Sequence, residues 1–544
     1  MEAVELDKRA YLLGMIKDLV NIPSVTESTE ESAPGLWIRE RLAKLPYFKE
    51  NPYHIKWIPT PLEGSKSLLH SLVVRVDAAT PTNRTILMIS HYDVVDVKIY
   101  GDLAKYAFDV DKITYMLSKT AEEEVIYGRG SMDMKCGVAL EVDILEEFAS
   151  NRKLFDVNIV AAFVGDEENA SAGMRGVLPA LAEMQADGTD FLAALNTEPG
   201  EAGRSGLTGP MIFLGTLGKI MPSFYVKGKA AHVGSCYQGF SSALAVSHIV
   251  KLAEGAPGLA DPLHGRSQPS WICLDMSVLK EGYSVTVPDR AYAYFNCFTT
   301  TNSPAVVMEQ MKEIAADALV AVSRQHADSC RGLLARGYEG AEFDTPDTKV
   351  YTLEELICEA RKKYGGDFDS DLHAYIESIP PGDMRERGVK TVDKICDMNG
   401  CDGPYVVCFF LPPWMPVRTD FSESPRDIAA IEAARRIEAE LLEKHGLKMT
   451  EVELFAGLCD LSYVGGKCSD KDLAAYKENV PGWGSIYNIP LLEMNGLGMP
   501  VINLGPSGED PHKKGEKLYL HYSLEILPQL LRSIVWELSA LIRD

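Results

Sequence analysis

The chain is short of positive charge: Lys and Arg total 54 against 78 Asp and Glu, a net charge of −24. That balance excludes nucleic acid or an anionic membrane as the main partner, since both need a basic surface. No apolar run reaches the length of a membrane span. The opening stretch, MEAVELDKRAYLLGMIKDLV, is acidic and amphipathic with no basic region ahead of an apolar one, so the expectation is a cytoplasmic protein. Eleven cysteines are scattered without a Cys-x-x-Cys pair, which excludes a thiolate zinc site and a disulfide framework. Gly-x-Ser-x-Gly is absent, as is a glycine-rich loop ending in Gly-Lys-Ser/Thr, and this removes the serine-hydrolase elbow and the P-loop. There is no internal repeat and no low-complexity segment.

What is present is a pattern of apolar strands that end in metal-binding side chains. At 544 residues the chain is too long for one ordinary core, so two domains, or one with a large insertion, are expected. Ile86 to Val95, ILMISHYDVV, opens on a run with no polar alternation and then breaks into His91 and Asp93. Such a run predicts a strand covered on both faces, as in a parallel sheet flanked by helices. His91 then falls at the carboxyl edge, where open α/β sheets bind ligands. Asp93 stands two residues on, spaced to hold the other ring nitrogen. By itself a strand-end His beside an Asp is an ordinary polar edge.

The pattern recurs along the chain. The loop Tyr127 to Gly137 carries Asp133 to a predicted helix start, where a carboxylate is equally a simple cap. Val157 to Val164 predicts a strand ending in Asp166-Glu167-Glu168, and two adjacent glutamates there repel unless a cation or shared proton offsets them. Phe191 to Leu195 leads to Glu198, and Met499 to Leu504 leads through a turn-rich loop to His512. From Gly218 the texture changes to β-α-β-β-α: strands at Pro222 to Val226, Trp271 to Leu279 and Val285 to Phe298, with helices at Phe240 to Ala253 and Ala305 to Arg324. The expected organisation is a catalytic metal-binding domain of residues 1–217 and 351–544 with an inserted α+β sandwich over 218–350. Residues 330–400 are helical in part and rich in turns. Ser424-Pro425 predicts a helix start and Gly446 its stop, and the chain closes on an apolar helix expected to kink at Pro528.

His91, Asp133, Glu168, Glu198 and His512 would meet at one sheet edge. Two imidazoles and three carboxylates suit two divalent ions of the zinc type if one carboxylate bridges. Glu167, beside a ligand yet free of the ions, is placed to act as a general base.

At these residues the sequence resembles the dinuclear zinc aminoacylase and carboxypeptidase family, which includes acetylornithine deacetylase, succinyl-diaminopimelate desuccinylase and glutamate carboxypeptidase. The segments that carry the resemblance are Ser90-His91-Tyr92-Asp93, Gly128 to Gly137, Asp166-Glu167-Glu168, the late His512 and Gly228-Lys229-Ala230-Ala231-His232-Val233-Gly234. Phe409 to Pro413 and Gly505 to Lys514 resemble its RocB branch, tied to arginine utilisation.

The resemblance implies a zinc-peptidase-like α/β catalytic domain, with a mostly parallel sheet flanked by helices, and an inserted lid or dimerisation domain. It implies that Asp133 bridges two ions, one also held by His91 and Glu198, the other by Glu168 and His512. Zinc is the first expectation, with cobalt or manganese as alternatives. Asp93 would support His91, Glu167 would move the proton, and His232 of the lid would stabilise the oxyanion, across a homodimer. The implied activity is cleavage of an N-acyl or peptide bond in a small amino-acid derivative, within arginine catabolism. The competing reading is a non-catalytic binding or regulatory protein that has kept the fold. One departure bears on substrate: after Val287-Pro288 the lid strand reads Phe295-Asn296-Cys297-Phe298, where relatives commonly carry Asp-x-Arg. The arginine that would hold a substrate carboxylate is missing there, and Arg290 is the near alternative.

Overall fold

The structure is a computed structural model. It describes all residues except 1, 63–67, 119–123, 202–209, 263–268, 281, 340–345, 402, 420–423, 453–458 and 543–544. Its strands, in chain order, are β1 (Ile55–Pro61), β2 (Leu68–Val76), β3 (Arg84–His91), β4 (Val125–Tyr127), β5 (Asn158–Val164), β6 (Asp190–Asn196), β7 (Gly200–Glu201), β8 (Met211–Phe213), β9 (Gly218–Lys227), β10 (Ile272–Val278), β11 (Arg290–Thr299), β12 (Lys349–Thr352), β13 (Tyr405–Met415), β14 (Thr450–Val452), β15 (Val501–Asn503), β16 (Ser507–Glu509) and β17 (Lys517–Tyr519).

The fold is α/β. Eight strands form the main sheet in the order β1-β2-β5-β3-β6-β15-β8-β14. Its centre is parallel: β3 pairs in parallel with β5 and β6, and β15 with β6, while β1 and β2 pair antiparallel at one edge. The unbroken apolar runs of β3, β5 and β6 are explained by cover on both sides. Ile86 and Met88 pack into one buried cluster with the helices Lys135–Ser150, Pro425–His445 and Leu527–Leu541. Leu87 and Ile89 face the other way, with the helix Ala172–Ala186. Each such side chain contributes about 1.5–3 kcal/mol relative to exposure, so a one-residue slip of register is strongly disfavoured.

A second sheet runs β10-β11-β9-β13-β12. Helices Ser242–Ala253 and Pro304–Ala335 cover the face that holds Ile220, Phe224 and Val226. Helices Leu353–Tyr364 and Met384–Asn399 cover the face that holds Met221 and Tyr225. This sheet extends past the expected boundary at 350, because β12 and β13 complete it. A third, four-stranded sheet, β4-β17-β16-β7, carries the chain on either side of His512.

Ser424 caps its helix by accepting the N–H of Asp427, and Gly446 ends it in the left-handed conformation (φ 66°), as the sequence predicts. The closing helix differs from expectation. Its irregular part is a π-helical turn over Tyr522–Ile526 ahead of Pro528, and the proline lies within the first turn of Leu527–Leu541, where its missing N–H has no cost. The strand expected over Val452 to Leu458 is described only in Thr450–Val452, since 453–458 lie outside the described residues. No described helix is long and apolar enough to cross a membrane.

Candidate metal centre

Five chain segments deliver the predicted residues to the carboxyl ends of β3, β5 and β6. His91 ends β3. Glu167 and Glu168 follow β5, and Glu198 follows β6. Asp133 precedes the helix Lys135–Ser150, whose third residue, Gly137, lies against Thr197: a Cβ there would stand 2.3 Å from Thr197 Oγ1, so only glycine lets the helix start so near Glu198. His512 arrives on the loop between β16 and β17. That loop is preceded by Gly505, where a Cβ would meet the Glu198 carbonyl at 1.9 Å. Asp166 and His512 both hold φ of 62°, a left-handed backbone that costs of order 1–3 kcal/mol in a non-glycine residue and collects at functional sites.

The Asp133 carboxylate lies between the two imidazoles. Its Oδ1 is 3.3 Å from His91 Nε2 and its Oδ2 is 3.1 Å from His512 Nε2. Glu198 Oε1 stands 3.2 Å from His91 Nε2, and Glu168 Oε1 stands 3.0 Å from His512 Nε2. Two sets result, His91, Asp133 and Glu198 on one side and Asp133, Glu168 and His512 on the other, each compact enough for one ion, with Asp133 in both. His91 and Glu198 are buried, whereas half of the His512 side chain is exposed, so the pair of sets opens to solvent on the His512 side. Glu167 belongs to neither set. Its Oε2 is 3.9 Å from His91 Nε2 and its side chain is 9% exposed, close to both sets without joining them.

Asp93 does more than the spacing predicts. His91 Nδ1 lies 3.1 Å from the Asp93 carbonyl oxygen and 3.4 Å from its carboxylate. That carboxylate also accepts the N–H groups of Glu167 at 3.2 Å and Glu168 at 3.3 Å, and the Thr26 hydroxyl at 2.9 Å. One buried side chain therefore ties the histidine of one set to the loop that carries the glutamate of the other.

His232 is not brought to this cluster. It is exposed in the segment that follows β9, and its Nδ1 accepts the N–H of Gly234 in its own turn. Arg290 is also elsewhere, with Nη1 and Nη2 each 2.6 Å from an aspartate, Asp393 and Asp397.

Three buried acids behind the site were not foreseen. Glu516 accepts the N–H groups of Met132 at 3.2 Å and Asp133 at 3.4 Å and pairs with Arg129 at 2.6 Å, both partners buried. Glu31 accepts the N–H of Asp166 at 2.7 Å. Glu141 takes the hydroxyl of Ser90 at 3.0 Å and of Thr197 at 3.1 Å, bracing the residues next to His91 and Glu198. Glu141 alone had a local signal, a single acid within Val138-Ala139-Leu140-Glu141-Val142.

The electrostatics favour cations. Burial pushes Glu198 up to about 7, and pushes Asp166 and Asp460 up to about 7 as well, because too few positive groups stand among them. Burial, with Glu198 and Glu168 adding to it, holds Glu167 well above the carboxylate range against the pull of His91. Burial opposes ionisation of Asp133 too, but hydrogen bonds from His512 and His91 outweigh it and hold its carboxyl below the ordinary range. Glu198 Oε1 is buried without a hydrogen-bond partner of correct geometry. An acid-rich pocket with an orphaned carboxylate oxygen, and with both imidazole Nε2 atoms turned toward carboxylates, fits divalent ions by donor type and arrangement.

A family profile described as Peptidase family M20/M25/M40 matches residues 87–452. "Uncharacterized protein YqjN" of Bacillus subtilis is 30% identical over 548 residues, 98% of this chain and 96% of that one. "Protein RocB" of the same organism is 25% identical over 530 residues, 95% and 93% of the two chains. A succinyl-diaminopimelate desuccinylase of Methylobacterium nodulans is 27% identical over 305 residues, 55% of this chain and 69% of its own. Among solved structures, human carnosine dipeptidase 1 superposes with a TM-score of 0.52 at 14% identity, covering 99% of this chain and 98% of that one. The di-peptidase Dug1p from Saccharomyces cerevisiae gives 0.51 at 13%, covering 98% of both. At such identity the two structures establish the shared fold.

Proposed function

The chain belongs to peptidase family M20/M25/M40, and from that premise we propose that it is a metal-dependent hydrolase cleaving an N-acyl or peptide bond of a small amino-acid derivative. The observation that carries the reading is the Asp133 carboxylate, with one oxygen turned to His91 and the other to His512. One ion would be held by His91, Asp133 and Glu198 and a second by Asp133, Glu168 and His512, with zinc ahead of cobalt or manganese. When bound, such ions polarise a carbonyl and acidify water.

The protein's own groups do the rest. Glu167 takes the proton of the attacking water on its carboxylate and hands it to the nitrogen of the leaving amine. Asp93 holds Glu167 in place through its backbone N–H. His232 is exposed and belongs to neither set of candidate ligands, and we assign it to the oxyanion of a neighbouring copy. A homodimer through the lid is supported by β10, an edge strand that exposes Ile272, Leu274, Met276 and Val278 along one face. We take the inserted unit to run from Gly218 through β13, and we place the protein in the cytoplasm. The resemblance of Phe409 to Pro413 and Gly505 to Lys514 to the arginine-utilisation branch puts derivatives met in arginine catabolism first in the substrate panel.

The test is Glu167→Gln, assayed with zinc on N-acyl amino acids and dipeptides. The variant keeps two ions per chain and loses about 10²–10⁴-fold in turnover. Equal turnover removes Glu167 from the mechanism, and ions bound by both proteins with turnover by neither returns the chain to the non-catalytic binding reading.

A further inference from the structure

A thiol, an amine and a carboxylate meet on the helices that cover the second sheet, and the hydrolytic reading uses none of them. Glu359 and Lys363 stand one turn apart on the helix Leu353–Tyr364 and form an ion pair. By themselves they are an ordinary solvated pair at i,i+4 spacing. The third member comes from the far end of the neighbouring helix. Met384–Asn399 stops at Gly400, whose left-handed backbone (φ 62°) turns the chain, and Cys401 follows. Lys363 Nζ donates to Cys401 Sγ at 2.6 Å, and Cys401 Sγ donates to Glu359 Oε1 at 3.4 Å. The sulfur is thus bracketed by a base and an acid.

A further contact fixes the amine. Lys363 Nζ also donates to Asn399 Oδ1 at 2.9 Å, and Asn399 is buried. An ammonium has three hydrogens, and here they go to Glu359, Asn399 and Cys401. The nitrogen is therefore held against the sulfur and does not swing in solvent. Small reagents can reach the pair, because Cys401 is partly exposed and 42% of the Lys363 side chain is open to solvent. Cys358 gives a contrast on the same helix. It is exposed, yet among the described residues no amine is hydrogen-bonded to its sulfur.

We propose that Cys401 is a site of oxidative modification by peroxides, and that the product is a sulfenamide cross-link between Cys401 Sγ and Lys363 Nζ. The sulfur attacks one oxygen of hydrogen peroxide as its proton passes to Glu359, since the thiolate is the nucleophile. An S–O bond forms while the O–O bond breaks, and the departing hydroxide takes a proton from the Lys363 ammonium and leaves as water. Sulfur is oxidised to the sulfenic acid and the peroxide is reduced. The Lys363 amine, now neutral, attacks the sulfenic sulfur. The S–N bond forms while the S–O bond breaks, the hydroxide leaves as water with the proton held by Glu359, and the nitrogen releases one proton to solvent. The cross-link contains neither oxygen of the peroxide. It ties the helix Leu353–Tyr364 to the end of Met384–Asn399, and it stands independently of what the metal centre hydrolyses.

The test is mass spectrometry of the full chain after hydrogen peroxide, with alkylation and peptide mapping, on wild type, Lys363→Met and Cys401→Ser. Wild type loses two hydrogen atoms, yields a peptide pair joined through Lys363 and Cys401, and regains a free thiol at Cys401 on treatment with dithiothreitol. Lys363→Met forms no cross-link, and its Cys401 is captured as the sulfenic acid by dimedone. Cys401→Ser shows neither product. Wild type in which Cys401 stops at the sulfenic or sulfinic acid with Lys363 free overturns the proposal, as does a bridge that retains an oxygen atom. Oxidation of Cys358 ahead of Cys401 also overturns it, because exposure alone would then govern reactivity.

Discussion

Replacing Arg129 by Met removes the only cation that faces Glu516 at ion-pair distance among the described residues, and the structure sets the size of the effect. The pair is 2.6 Å long, with 1% and 0% of the two side chains exposed. Loss of one partner from such a pair costs about 3–5 kcal/mol, because a buried charge is left uncompensated. Glu516 keeps the N–H groups of Met132 and Asp133, which soften the loss without neutralising the charge. Its carboxyl is already pushed up to about 7 by burial with Arg129 in place, and the variant raises it further. A carboxyl whose folded value lies above its unfolded value holds a proton that the unfolded chain does not, so stability falls as pH rises between the two. The deficit is therefore largest near pH 8 and shrinks toward pH 5. Arg129→Met/Glu516→Gln removes the stranded charge and recovers most of the loss. Urea unfolding at pH 5 and pH 8, followed by tryptophan fluorescence, reads the effect. Because Glu516 also holds the Asp133 backbone, zinc affinity falls about 10–100-fold in the single variant. A single variant as stable as wild type at pH 8 would refute the view that this pair carries the base of the site.

Further expectations follow from the same charges. Glu141 is pushed up to about 8 by burial, so at neutral pH it is largely a neutral acid between Ser90 and Thr197, and Glu141→Gln is tolerated there. Wild type loses up to about 1.4 kcal/mol per pH unit between the ordinary carboxylate value and about 8, and the variant does not, so urea midpoints diverge in its favour as pH rises.

Much of the candidate site was readable because each candidate ligand sits where a local pattern breaks. His91, Glu168 and Glu198 follow runs too apolar to be anything but covered strands, and Asp133 opens a helix after a glycine-punctuated loop. Glu516 and Glu31, which hold the backbone beside the candidate ligands, have no such mark. Glu516 meets Met132 across 384 positions of sequence, and Glu31 meets Asp166 across 135, so an acid in a turn-rich segment reads as solvated surface until the fold is known. The reach of the second sheet was hidden for a related reason. Among the described residues β12 joins it after one helix and β13 after three more, and a strand's partners depend on pairing that its own residues do not encode.

The most direct measurement is anomalous scattering from crystals grown with zinc, recorded at the zinc edge. The account predicts two peaks about 3.5–4 Å apart on either side of the Asp133 carboxylate, one against His91 and Glu198 and the other against Glu168 and His512. A single peak that leaves one set empty, or peaks away from Asp133, would contradict it.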